Sequence, residues 1–187
     1  MAEGREMKID EAQADLRRAY TDGGPGVIVS GLVWLAAAWV LSRSGVATGF
    51  VVLFFGGMLI FPLALLVNRV LLRRQREAAE NPFGLLVLEC TVAMIAMLFA
   101  AYLFLPFDEA KVFPLAAIAV GVHYFVFKTA YGMRTFWLLG AAITLLGVAA
   151  IYRALPLPGG VAMWVGLVEL GFGAAMTARG LRARPAV

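Results

Sequence analysis

The stretch VATGFVVLFFGGMLIFPLALLVNRVLLRRQREAAE, residues 46–80, decides the fold. Its first 22 residues, 46–67, carry no charge. A helix needs about 17 to 25 apolar residues to cross the hydrocarbon core, so this run is long enough. Arg69, Arg73, Arg74 and Arg76 follow at once. An apolar run that stops at a basic cluster reads as a span whose end lies on the cytoplasmic side. Pro62 inside the run predicts a kink near 58–62.

Five further apolar runs surround it, at 25–41, 82–105, 112–127, 135–152 and 160–178, separated by SRSG, LPFDEAK, KTAYGMR and RALPLPGG. Asn81 is placed to cap the third span, with Pro82 at the first helical position, where a missing N–H costs nothing. The whole chain agrees with these segments. It is 62% hydrophobic and 15% charged, with a mean hydropathy of +0.86, far from soluble usage. With the N-terminus inside, 13 of the 16 lysines and arginines fall on the cytoplasmic side. Arg43, Lys111 and Arg153 remain for the other side. The expected fold class is therefore an all-α integral membrane protein, a six-transmembrane-helix bundle with both termini cytoplasmic.

Residues 1–24 form the N-terminal segment, 25–178 the membrane domain and 179–187 a basic tail. The first twenty residues lack the apolar core of a secretory signal. Within them Ile9, Ala12, Leu16, Ala19 and Tyr20 recur at helical spacing opposite Lys8, Glu11, Asp15 and Arg18. This predicts a short amphipathic helix, either lying on the membrane surface or covering the cytoplasmic end of the bundle.

The net charge of +4 does not indicate nucleic acid, because the basic residues flank apolar runs instead of alternating with aromatics. Membrane lipids are the expected partners, and self-association is left open. The single cysteine, Cys90, has no disulfide partner and reads as a small buried hydrophobe. One histidine, one cysteine and two intramembrane glutamates, without an HExxH pair, give no support for a metal site. No GxSxG, Walker or GxGxxG motif is present, so neither a cofactor nor a catalytic residue can be assigned.

The polar groups inside the spans are the candidates for function: Glu89 in the third, His123 in the fourth, Glu169 in the sixth, and Asn68 at the inner end of the second. A charge at the bilayer centre costs about 2.5 to 3.5 kcal/mol, so such groups normally face inward with partners. Small residues share their stripes. Ala93, Ala96 and Ala100 accompany Glu89, Ala116 and Ala119 accompany His123, and Ala162, Gly166, Gly173 and Thr177 accompany Glu169. The set runs from the cytoplasmic end to the middle of the bundle, which predicts a cavity open to the cytoplasm and closed at Glu169. The plainer alternative is that each group bonds a neighbouring helix. Lys128 and Arg134, beside Trp137, read first as interface anchors and second as a pocket for an anionic lipid headgroup. A short similarity between GLLVLE (84–89) and GLVEL (166–170) hints at an inverted repeat.

The segments GGPGVIVSGLVWLAAAWV, GGMLIFPLALL, ENPFG, GVHYFVF and YGMRTFW resemble a family of small bacterial multi-span proteins known only as a domain of unknown function. The resemblance covers about 12–139, and HYFVFKTAYGMRTFW is its most specific piece. It implies a six-span protein of the bacterial inner membrane and supplies no activity. Three functions follow from the residues as expectations. The first is binding or transport of a small cationic or amphipathic molecule through the cavity. The others are an intramembrane enzyme acting on a lipid or isoprenoid, and a scaffold without a ligand.

Overall fold

A computed structural model describes residues 7–153 and 157–183. Arg5, Arg184, part of the RALPLPGG connection and the end of the basic tail lie outside the described residues. Among those described, every element is helical.

Helix α1 (Ile9–Tyr20) begins with Asp10 and Glu11 and ends with Arg17 and Arg18, charges placed to suit the helix dipole. Its apolar face, Ala12, Leu16 and Ala19, is buried. That face packs on the bundle, so α1 is the cover of one end and not a helix lying on an outer surface. Its polar groups fasten it there. Gln13 Nε2 donates to the Thr129 carbonyl at 2.8 Å, and Arg17 donates to that of Tyr131. Asn81 Nδ2 donates to the Ala12 carbonyl at 2.9 Å. The chain then turns through Thr21, Asp22 and Gly23, all at positive φ. This tight reversal is held by the buried Asp22 carboxylate, 2.9 Å from Arg179 Nε.

Helix α2 (Gly24–Leu66) is folded back on itself at Gly45, where φ 86 and ψ 174 are open to glycine alone among the residues here. Its two arms, 24–44 and 46–66, run antiparallel in close contact. A Cβ on Gly49 would lie 2.8 Å from Leu41 Cβ, and one on Gly56 2.8 Å from a Val33 methyl. Backbone dihedrals stay helical through Pro62. The irregularity comes later, as a π-helical turn over Val67–Leu71.

Helices α3 (Pro82–Tyr102), α4 (Val112–Tyr131), α5 (Thr135–Ile151) and α6 (Gly160–Arg182) follow. The Asn81 side chain accepts from Phe83 N at 3.1 Å, the expected cap. Successive segments alternate in direction, since the second arm, α4 and α6 end beside α1 or its turn while α3 starts there.

Among the described residues, four helical stretches are long and apolar enough to cross a membrane: Ile9–Leu71, which contains both arms, Pro82–Tyr102, Glu109–Tyr131 and Gly160–Arg182. Helix α5 is apolar but shorter, at 17 residues. The outer surface is apolar too, with Trp39, Phe55, Leu85 and Leu145 each more than half exposed. In water such a surface would not persist without a partner, and in lipid it needs none.

Packing divides the bundle. On one side the first arm lies on α6 and α4 lies on α5, with glycines at the crossings. A Cβ on Gly31 would meet the Gly166 carbonyl at 2.9 Å, and one on Gly121 would meet Thr144 N at 2.7 Å. On the other side α3 rests on α4, and the second arm stands away from it.

Candidate functional site

Between the second arm and α3 lies a cavity of about 580 Å³. The two helices meet at the end remote from α1, through Phe50 against Tyr102 (ring centres 5.0 Å) and Phe54 against Phe99 (4.9 Å). Toward α1 they part. Gly57, Ile60 and Phe61 line one wall, and Gly84, Leu88 and Thr91 the other. Phe61 and Leu88 line the cavity and are also more than half exposed. The opening therefore lies between these two helices, within the apolar surface. Leu16, Tyr20 and Glu77 form the floor, so α1 and the 72–81 connection cover the end that was expected to be open.

The wall opposite the opening comes from the first arm and α4, and most of the polar groups are there and on the floor. His123 lines the cavity, as expected. Its Nδ1 is 2.9 Å from the Cys90 thiol, a pairing that neither the position of Cys90 nor that of His123 signals in the sequence. Cys90 is only half-buried, so it is not the enclosed hydrophobe it was read as.

Glu169 is fully buried, as its stripe of small residues predicts. It does not line the cavity. Tyr124 and Ser30 stand between, and the Tyr124 hydroxyl donates to Glu169 Oε1 at 2.8 Å. The Ser30 hydroxyl faces the same carboxyl. Glu169 Oε2 has no hydrogen-bond partner.

Asn68 lines the cavity, but both ends of its amide are already in use. Its Oδ1 accepts from Thr21 Oγ1 at 2.7 Å and its Nδ2 donates to the Ala64 carbonyl at 2.8 Å. Those bonds tie the α1 turn to the π-helical turn.

Glu89 does not join the others. It is exposed on the outer face of α3, together with Ala93, Ala96 and Ala100. The buried and cavity-lining face of α3 is instead Val87, Thr91, Met94 and Leu98. Small side chains permit close packing but do not compel it, and here bulkier residues fill the wider gap to α4. GLLVLE and GLVEL thus place their glutamates in opposite surroundings, which removes the hint of a repeat. Lys128 holds its ammonium 5.2 Å from the centre of the Trp137 ring, the arrangement of an interface anchor. Neither it nor Arg134 lines the cavity.

One cavity group escaped the sequence reading. Glu77 directly follows Arg76 in the basic cluster that ends the second span, where no apolar periodicity marks it. Its carboxylate lines the floor, and its Oε2 is buried without a hydrogen-bond partner. The Tyr20 hydroxyl faces it as a donor. Burial raises the Tyr20 phenol above its ordinary range, and the nearby Glu77 charge adds to that. On the outer side of the floor Asp15 behaves differently. Burial pushes its carboxyl up, but bonds from Asn81 Nδ2 and Ala78 N, together with the Arg18 guanidinium, outweigh this and hold it below the usual carboxylate value.

With this geometry in place, a family model for a family of unknown function, DUF7010, matches residues 9–179. The chain belongs to DUF7010. The match covers α1 and all the helices that build the cavity, so the cover is part of the family's unit and not an appendage. No curated protein and no solved structure matches the chain. Among the described residues of this DUF7010 chain, no cluster of three or more His, Cys, Asp or Glu is arranged to hold a metal ion.

Proposed function

We propose that this chain is a six-span protein of the bacterial inner membrane that binds an amphipathic molecule arriving sideways from the bilayer. The two arms of α2 and helices α3 to α6 make the six crossings, with both chain ends in the cytoplasm. The distribution of lysine and arginine supports that orientation. Reporter fusions next to Arg43, Lys111 and Arg153 should register as external. A cytoplasmic signal from any of them would overturn the topology.

The observation that carries the binding reading is the cavity itself. Its walls are mostly apolar, its opening lies between Phe61 and Leu88, and its polar groups gather on the floor and back wall. A concave apolar site with a few convergent polar groups suits a ligand with one apolar and one polar end. A water-soluble ligand would have to pass α1 or the apolar rim. Transport adds a second opening, for which the Phe50–Tyr102 and Phe54–Phe99 contacts leave no support in this state.

Gly57 provides the test. It lines the cavity, and a Cβ there would meet nothing within 4 Å. Gly57→Trp should fill the space without disturbing the fold. Native mass spectrometry of protein released from lipid nanodiscs should show one retained amphiphile per chain, lost in Gly57→Trp. Equal retention by both would end the binding reading.

The Cys90–His123 contact favours a second reading, the intramembrane enzyme. A thiol 2.9 Å from an imidazole nitrogen has the geometry of a nucleophile and its base. Release of fatty acid from an ester lipid, abolished by Cys90→Ala but not by Gly171→Ala, would support it. No turnover on ester or thioester lipids would remove it.

A further inference from the structure

The chemistry of the ligand's polar end can be read from the cavity floor, given the binding reading above. Among the described residues that line the cavity, Glu77 is the one formally charged side chain. Its buried Oε2 lacks a hydrogen-bond partner. Nearby guanidinium groups donate to backbone carbonyls, and that of Arg69 also lies 5.6 Å from the centre of the Tyr20 ring. Arg17 donates to the Tyr131 carbonyl, Arg69 to those of Arg74 and Gln75, and Arg74 to that of Gly180 at 2.9 Å.

Around this carboxylate the lining is aromatic. Tyr20 stands against Phe61 with ring centres 6.4 Å apart. Tyr131 is stacked on Phe127 at 5.9 Å and 5°. Tyr20 and Tyr131 line the same cavity as Glu77. Ring faces attract cations through their quadrupole, and a carboxylate within an aromatic enclosure is the usual recognition set for alkylated ammonium groups. An anionic head would be repelled by the Glu77 carboxylate in a poorly hydrated space, which is unfavourable.

We propose that the floor of the cavity, where the Glu77 carboxylate meets Tyr20 and Tyr131, is a site for the ammonium head of an amphiphile whose chain lies between the second arm and α3. The ligand class is thus a cationic or zwitterionic amphiphile with an ammonium group. The head lies under α1, and the tail reaches past Gly57 to the opening.

Trp34 also lines the cavity and reports on its contents. The chain carrying Trp39→Phe, Trp137→Phe and Trp164→Phe would be placed in nanodiscs of an uncharged galactolipid, so that the bilayer itself does not sort the heads by charge. It would be titrated with three amphiphiles sharing one bromine-tipped dodecyl chain and bearing trimethylammonium, glycerol or carboxylate heads. Bromine quenches indole fluorescence on contact. The expected result is quenching at about tenfold lower concentration for trimethylammonium than for glycerol, with carboxylate weakest. Glu77→Gln should shrink the preference several-fold and leave the glycerol curve in place. If the three heads quench alike, or if Glu77→Gln keeps the full preference, the ammonium site is wrong while the cavity reading stands. If no amphiphile quenches Trp34, both fail together. If Glu77→Gln does not fold, the order of the three heads in the parent chain decides the matter alone.

Discussion

The two sides of the bundle are made of equally apolar helices and are packed in opposite ways. Where the first arm crosses α6 and α4 crosses α5, Gly31, Gly166, Gly121 and Gly140 let backbones touch. Where the second arm faces α3, bulky rings meet at one end only and the rest stands open. Lipid tails are as apolar as leucine, so burying side chains gives little drive for helices to associate in a membrane, and close backbone fit matters more. The glycine-poor face of α3 is therefore packed less closely against its neighbour. One side is scaffold, and the other encloses the cavity.

The sharpest way to break this comparison is a matched pair of substitutions. Gly121→Val would drive a side chain into Thr144, whose Oγ1 and N lie 2.4 and 2.7 Å from the added Cβ. Overpacking of this kind against backbone should cost about 3 kcal/mol or more. Gly57→Val, facing open space, should change stability by less than about 1 kcal/mol. Thermal unfolding in mild detergent distinguishes them, and equal shifts would erase the distinction between the two sides.

Tyr124→Phe tests the boundary between scaffold and cavity. It removes the donor from a fully buried carboxyl, which should cost about 1 to 3 kcal/mol. Ligand binding should survive, because Glu169 stands behind the wall. Loss of binding without loss of stability would make Glu169 part of the site after all.

The cover should respond to acid. The folded-state value of the Asp15 carboxyl is depressed, so its contribution is fully present above its ordinary value near 3.8. That contribution fades as pH falls through the lower folded value. The protection of α1 amides, with the intrinsic pH dependence of exchange divided out, should fall below about pH 4. Asp15→Asn should show lower protection at neutral pH and lose most of the acid response. A parent chain whose α1 protection is the same on both sides of that pH would remove Asp15 from the fastening.

Glu89→Gln should do least, within about 0.5 kcal/mol, since the side chain is exposed on the outside of α3. A large loss of stability would mean that α3 is covered by something, and analytical ultracentrifugation would then show whether a second copy covers it.

Helix positions were legible in the sequence because span length follows directly from uninterrupted apolar residues. The starts at Pro82, Val112, Thr135 and Gly160 agree with the apolar runs. The turn in SRSG is at Gly45, the one residue of the four that tolerates its dihedrals. Helix faces were legible only where glycine forced contact. Glu169 lies on such a face, whereas Glu89 lies on an alanine stripe that lipid accommodates equally well. Glu77 was hidden because its role depends on a connection folding back beneath the bundle, which leaves no periodic trace. The Cys90–His123 pair depends on the rotation of two helices and is likewise invisible in one chain.

The fastening of α1 has a bearing on how the protein is made. Two of its carbonyl acceptors, in Thr129 and Tyr131, come 116 and 114 residues after their donors. At about 5 to 20 residues per second, α1 leaves the ribosome roughly 6 to 23 s before they exist. During that interval Leu16 and its neighbours have only part of their final surroundings, from α2 and Asn81, and the nearest further greasy boundary is the membrane face. Nascent chains arrested before α4 should therefore carry an α1 that proteases cut readily, and full-length chains one that resists them.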